Sequence, residues 1–234
     1  MDVFILAGGL GTRIRALFPD RPKALIPVWG KPFLEWQIER LAKQGFHHFV
    51  LCVSHFSEQI VRHFGDGAAW GVRVEYSIEA EPMGTAGALK LAAPFFQETS
   101  LVLNGDTYLA TDYRALIAAH QEKATHGQGI GSLGLVAVQD TGRFGQVILD
   151  GDNRIVAFRE KTPSPAQAGL INAGLYVLAP TVLETIPAGR PASIENDTFP
   201  ALVAAQALYG FPVEGAFVDM GTPEGYAHLK QLLQ

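Results

Sequence analysis

The chain has 234 residues, 48% of them hydrophobic and 18% charged, which suits one α/β domain with a sizeable core. Its 18 Lys and Arg against 23 Asp and Glu leave a net charge of −5, which excludes a surface built to coat nucleic acid but not a local cationic pocket. The single cysteine excludes an internal disulfide, and no apolar run approaches the roughly 20 residues of a membrane helix, so a cytoplasmic protein with neither nucleic-acid nor membrane partners is expected.

"DVFILA" (Asp2–Ala7) is a short apolar run ended by glycine and predicts a buried parallel strand. It has no basic start and is too short for a secretory signal core. The next helix is expected to start at Pro32, with Phe33, Leu34, Ile38 and Leu41 on its apolar face and Gly45 as its stop. "HFVLCV" (His48–Val53) is a second buried strand, in which Cys52 packs as a small apolar residue. "SEQIVRHFG" predicts a helix closed by Gly65, "VRVEYS" a strand, and "GTAGALKLAAPFF" a helix that opens on glycine. "SLVLNGD" (Ser100–Asp106) is a buried strand with a polar tip, and "YRALIAAHQEKATHG" a helix ending at Gly127. Strand and helix alternate through this half, which argues for a parallel sheet in an α/β layer fold.

The second half differs. "GLVAV", "GQVILD", "RIVAFRE" and "LINAGLYVL" are strands with short gaps, and "DGDN" at 150–153 predicts a hairpin turn. Its spacing does not fit a calcium loop. Helices around Asp197–Gln206 and Pro223–Leu233 close the chain. The expectation is one domain over residues 1–234: a Rossmann-like α/β fold with a mostly parallel, mixed sheet flanked by helices. A nucleotide-binding first half would carry a small substrate lobe from the second.

Gly8, Gly9 and Gly11 follow the first strand directly. Glycines let backbone approach a ligand, and free N–H groups there suit phosphate oxygens. Arg13 and Lys23 follow, with Arg15 and Arg21 near. No Gly-Lys-Ser/Thr closes the loop, so it is not a P-loop, and it lacks the third glycine of a dinucleotide fingerprint. By itself the stretch also fits a plain glycine turn with solvated charges. Asp106 sits just past a buried strand, where carboxylates face the crevice at the carboxyl ends of parallel strands. Asp219 in "FVDMGTP" also follows an apolar run, and paired carboxylates of this kind suit Mg²⁺. His47, His48, His55 and His63 match no standard metal-ligand spacing.

"LAGGLGTR" followed by "PKALIPV" resembles the signature of the sugar-phosphate nucleotidyltransferases. The resemblance continues through "EPMGTAGAL", "NGDTY", "RFGQV", "FREK", "LINAGLYVL" and "FVDMGTPEGY", in the family's order and over nearly the whole chain. It implies a GT-A-like fold and an enzyme that joins a nucleoside triphosphate to a sugar 1-phosphate with release of pyrophosphate. "NGDTY", "GLINAGLY", "SIENDTFP" and "FVDMGTPEGY" are most similar to the D-glycero-α-D-manno-heptose 1-phosphate guanylyltransferases, which would make a GDP-sugar for surface polysaccharide. Mannose 1-phosphate guanylyltransferases and N-acetylmuramate 1-phosphate uridylyltransferases remain alternatives. A catalytically dead nucleotide-sugar sensor on the same fold would be expected to lose Arg13, Lys23 or a carboxylate, and all are present.

The resemblance also implies roles. Leu6, Ala7, Gly8, Gly9, Gly11, Thr12, Gly84 and Thr85 would surround the nucleotide, GTP in the favoured branch. Arg13 would lie near the leaving phosphates and Lys23 against the phosphates at the reacting centre. Asp106 and Asp219 would hold Mg²⁺. Lys161 would hold the sugar phosphate, Glu160 and Asn172 would contact sugar hydroxyls, and Gly145 would let backbone approach the sugar. Arg143, Glu195 and Asn196 are candidates for the far end of the sugar. A homo-oligomer is compatible with all of this.

Overall fold

The computed structural model describes residues 1–9, 11–127, 129–142, 144–159 and 167–234. Strand β1 (Val3–Leu6) pairs in parallel with β4 (His48–Val53) on one side and β6 (Ser100–Asn104) on the other. β4 in turn pairs in parallel with β5 (Arg73–Ile78). Between β1 and β4 lie the two-residue strands β2 (Pro27–Val28) and β3 (Lys31–Pro32) and helix α1 (Phe33–Ala42). Helices α2 (Ser57–Phe64) and α3 (Gly84–Leu91) make the next two crossovers. The first half is therefore the predicted parallel α/β unit.

After β6 the short β7 (Thr107–Leu109) and helix α4 (Tyr113–Thr125) lead to β8 (Gly131–Val138). The predicted hairpin forms as β9 (Gln146–Leu149) and β10 (Ile155–Arg159), antiparallel, with Asn153 in the left-handed region inside its turn. Strand β11 (Gly169–Leu178) pairs antiparallel with β6 and joins the halves into one mixed sheet. Along β11 the register with β8 shifts between Asn172 and Tyr176. A π-helical turn (Ile194–Thr198) precedes α5 (Phe199–Ala204), then come β12 (Leu208–Pro212), β13 (Phe217–Asp219) and α6 (Pro223–Leu232).

Alternation along the strands divides the core. Val3, Ile5, Phe49 and Leu51 face α1, α2 and α4, while Phe4, Val50, Cys52 and Val102 face α3 and α5. Cys52 is fully buried, as its apolar run predicts, and burial pushes its thiol pKa up. A third cluster, with Ile14, Ile26, Phe33, Tyr108, Met220 and Leu229, packs the glycine loop, β7, β13 and α6 together. That cluster carries the loop ends that form the site.

The structure differs from expectation at several boundaries. Pro32 caps α1 rather than opening it, because its ψ of 141° is extended and it ends β3. The helix expected from Asp197 is a π-helical turn up to Thr198 and becomes α-helical only at Phe199. β12 has no counterpart among the expected elements; it runs parallel to β8 and pairs with no other named strand, which leaves room for proline at its end. No helix among the described residues is long and apolar enough to cross a membrane.

Candidate active site

Four charged side chains, far apart in sequence, meet where the parallel strands end. Arg13 lies in the turns that follow the glycine loop, and Lys23 starts a 3₁₀ turn (Lys23–Leu25) just after Pro22. Asp106 occupies the turn between β6 and β7. β13 pairs antiparallel with β7, placing Asp219 opposite Thr107, and the Met220 N–H donates to the Asp106 carbonyl at 2.9 Å. The two carboxylates are thus neighbours because a three-residue ladder makes them so.

Each carboxylate has a cation. Lys23 Nζ lies 2.5 Å from Asp106 Oδ2, with the lysine side chain only 9% exposed. An Arg13 guanidinium nitrogen lies 3.9 Å from Asp219 Oδ2. The other oxygen, Asp219 Oδ1, accepts the Gly221 N–H at 2.7 Å. Gly221 leaves room for this cluster: a Cβ would sit 2.6 Å from Lys23 Nζ, 2.7 Å from Asp219 Oδ1 and 3.0 Å from Arg13, so these charged side-chain ends would have to shift.

The turn holding Asp106 is clamped from behind. Gln37, buried on α1, donates from Nε2 to the carbonyl of Thr107 at 2.8 Å and to that of Asn104 at 3.1 Å. One amide thereby grips both flanks of Asp106. Gln37 falls among Leu34, Ile38 and Leu41 on the apolar face, and a polar residue at such a helical spacing was a readable signal that went unread.

Two cavities open from this centre and share Asn104 and Asp106. The smaller, about 220 Å³, is lined by Leu6, Gly8, Gly9, Gly84 and Thr85, five of the residues expected around a nucleotide. Ala7 is buried in the strand end, with its N–H on Cys52, and Thr12 is exposed; neither lines this cavity. Gly11 instead lines a separate crevice with Lys23 and Ile14. The larger cavity, about 540 Å³, is lined by Arg13, Asp219, Gly145, Asn172, Glu195 and Asn196, among others. Arg143, Glu160 and Lys161 lie outside the described residues.

Sequence reasoning missed Glu79. It is 7% exposed, its carboxylate lines the smaller cavity, and Oε2 accepts the Met83 N–H at 2.7 Å. Burial pushes its pKa up, and that hydrogen bond partly offsets the shift. Gly8 admits this carboxylate, since a Cβ there would lie 2.7 Å from Glu79 Oε1. A glutamate five residues before Gly84 was the available signal.

Among the described residues no group of three or more Asp, Glu, His or Cys side chains could hold a metal. Asp106 and Asp219 nevertheless fit Mg²⁺, which is bound by one or two carboxylates while phosphates and waters complete its shell. Both are hard oxygen donors that line the larger cavity, Asp106 lines the smaller one as well, and a cation faces each of them. Chemically, the centre can hold two anionic ligands against one another with fixed positive charge between them.

The nucleotidyl transferase family model matches residues 3–234. The chain is 38% identical to the mannose-1-phosphate guanylyltransferase of Mycobacterium tuberculosis over 97% of its own length, and spans 62% of that relative. It is 35% identical to the D-glycero-alpha-D-manno-heptose 1-phosphate guanylyltransferase of Campylobacter jejuni, over 97% of this chain and 98% of the relative. The crystal structure of HddC from Yersinia pseudotuberculosis complexed with GMP-PN superposes with a TM-score of 0.85 at 31% identity, covering 100% of this chain and 99% of that one.

Proposed function

The chain belongs to the nucleotidyl transferase family, and we propose that it transfers GMP from GTP to D-glycero-α-D-manno-heptose 1-phosphate, releasing pyrophosphate. The observation that carries this reading is the pair of cavities meeting at Asp106, with Lys23 and Arg13 at the junction.

The nucleophile is a phosphate oxygen of the sugar 1-phosphate, already largely ionised because such a monoester's second pKa is about 6. No general base is needed. The obstacle is repulsion between two anions, so catalysis consists of positioning and charge neutralisation. Lys23, nearly buried, places its ammonium at the α-phosphate. Arg13, whose side chain is 64% exposed, has the freedom to fold onto the departing pyrophosphate. Asp106 and Asp219 would hold Mg²⁺, which when bound neutralises phosphate oxygens. Gln37 and Gly221 keep the two carboxylates and the lysine in place without touching substrate.

Glu79 supports guanine as the base. A carboxylate accepts the N1–H and 2-amino group of guanine together. Uracil and thymine offer a single N–H flanked by two carbonyl oxygens, which a carboxylate repels. For the sugar, the heptose relative aligns along almost all of both chains, and Asn196 and Gln146 give the larger cavity polar groups that an extra hydroxyl could engage. Mannose 1-phosphate is the second reading, favoured by the 38% identity to the mycobacterial enzyme.

The two readings separate in a competition of kcat/KM. With GTP, the heptose phosphate is expected to exceed mannose 1-phosphate by about tenfold or more if its extra hydroxyl is hydrogen-bonded. GTP is expected to exceed UTP and dTTP strongly, and Glu79→Gln to erode that preference. Mannose 1-phosphate equal to or better than the heptose would establish the second reading. UTP or dTTP better than GTP would remove the guanine assignment.

A further inference from the structure

Glu195 stands between the two cavities and receives three hydroxyls. Its Oε2 lies 3.0 Å from Thr85 Oγ1 and 3.0 Å from Ser193 Oγ, and its Oε1 lies 3.3 Å from the Tyr176 hydroxyl. Each of those hydroxyl oxygens also accepts a hydrogen bond. The Ile194 N–H reaches Thr85 Oγ1 at 2.8 Å, the Asn196 N–H reaches Ser193 Oγ at 3.1 Å, and Asn172 Nδ2 reaches the Tyr176 oxygen at 3.1 Å. A hydroxyl carries one proton, and the donors on its lone pairs direct that proton away from themselves. All three protons therefore converge on one carboxylate.

The geometry also links the two sites. Thr85 lines the smaller cavity, Glu195 the larger. Glu195 sits on the π-helical turn Ile194–Thr198, a rare irregularity that is frequent at functional sites. The segment before that turn is stitched to the start of α3: Ala192 O accepts the Ala86 N–H at 2.9 Å, and the Ala192 N–H donates to Met83 O at 2.9 Å. Asn172, which holds Tyr176, lines the sugar cavity as well. The nucleotide edge and the sugar wall thus share one hydrogen-bond network.

We propose that Glu195 is the acceptor that reads a ring hydroxyl of the sugar 1-phosphate, and that Thr85 of the nucleotide cavity holds it in the reading position. A carboxylate has about four acceptor directions, and three are taken by protein hydroxyls, which leaves one for substrate. The fixed hydroxyls pre-orient Glu195, so sugar discrimination depends on a residue that the nucleotide touches. This rests on the transferase reading above.

The test is a double-mutant cycle in the pyrophosphate-release assay, using whichever of the heptose and mannose phosphates the wild type prefers. Glu195→Gln keeps the shape of the side chain but weakens the acceptor. It is expected to raise the KM for the sugar phosphate by about tenfold or more, with the KM for GTP changing far less. Thr85→Val is expected to raise the sugar KM too, Thr85→Ser to restore it, and Thr85→Val to add little in the Glu195→Gln background. If Glu195→Gln does not fold, Tyr176→Phe, which keeps the carboxylate and removes one donor, is expected to show the same split at smaller amplitude. An unchanged sugar KM in the carboxylate variant, or full additivity with Thr85→Val, overturns the proposal. A wild type that releases no pyrophosphate with any of these substrates contradicts the transferase reading instead.

Discussion

Replacing Lys23 with alanine is expected to lower turnover by about 10²–10³-fold, the usual effect of removing one pre-positioned donor from a reacting centre. The lysine is nearly buried, 2.5 Å from Asp106, and its ammonium lies where a Cβ on Gly221 would crowd it. Stability is expected to change little. Asp106 is 34% exposed and can be hydrated when its partner is lost, so the melting temperature of a chain this long should move by no more than about 4 °C. Arg13→Ala is expected to cost less, because its side chain is mostly exposed and its contact with Asp219 is longer. Turnover by folded Lys23→Ala enzyme within about twofold of wild type would remove the lysine from the mechanism.

Asp106→Asn carries the second large effect. The change keeps shape and removes the charge that both Lys23 and a divalent cation would engage. Turnover is expected to fall by about 10²-fold or more, with a higher Mg²⁺ concentration needed for half-maximal rate. Asp219→Asn is expected to act in the same direction but less strongly, since an amide oxygen can still accept the Gly221 N–H. Wild type is expected to be inactive in excess chelator. Full activity there, or an unchanged Mg²⁺ dependence in Asp106→Asn, would contradict the two-carboxylate site.

Much of this was legible in the sequence because it is local. The run from Leu6 to Val28 reads as a glycine turn with cations after a strand, and apolar runs followed by glycine or polar tips locate β1, β4 and β6. The hairpin at 150–153 is readable because its turn chemistry is explicit. What stayed hidden depends on pairing across long separations. β7 and β13 have three residues each, too few for a periodic signal, yet their register brings Asp219 beside Asp106. Glu79 looked like an ordinary acidic residue until β5 and the loop after it turned its carboxylate into a cavity. Glu195 was visible as a candidate for the sugar, but its link to Thr85 crosses 110 positions and a π-helical turn that no sequence rule supplies.

The central claim is displacement at the α-phosphorus of GTP by a sugar 1-phosphate, at the junction of the two cavities. Incubating the purified chain with Mg²⁺, heptose 1-phosphate and GTP labelled at the α-phosphate tests it most directly. The label is expected in a GDP-sugar, with one pyrophosphate released for each label transferred. Label recovered as free GDP with inorganic phosphate, or left wholly in GTP, would contradict the account.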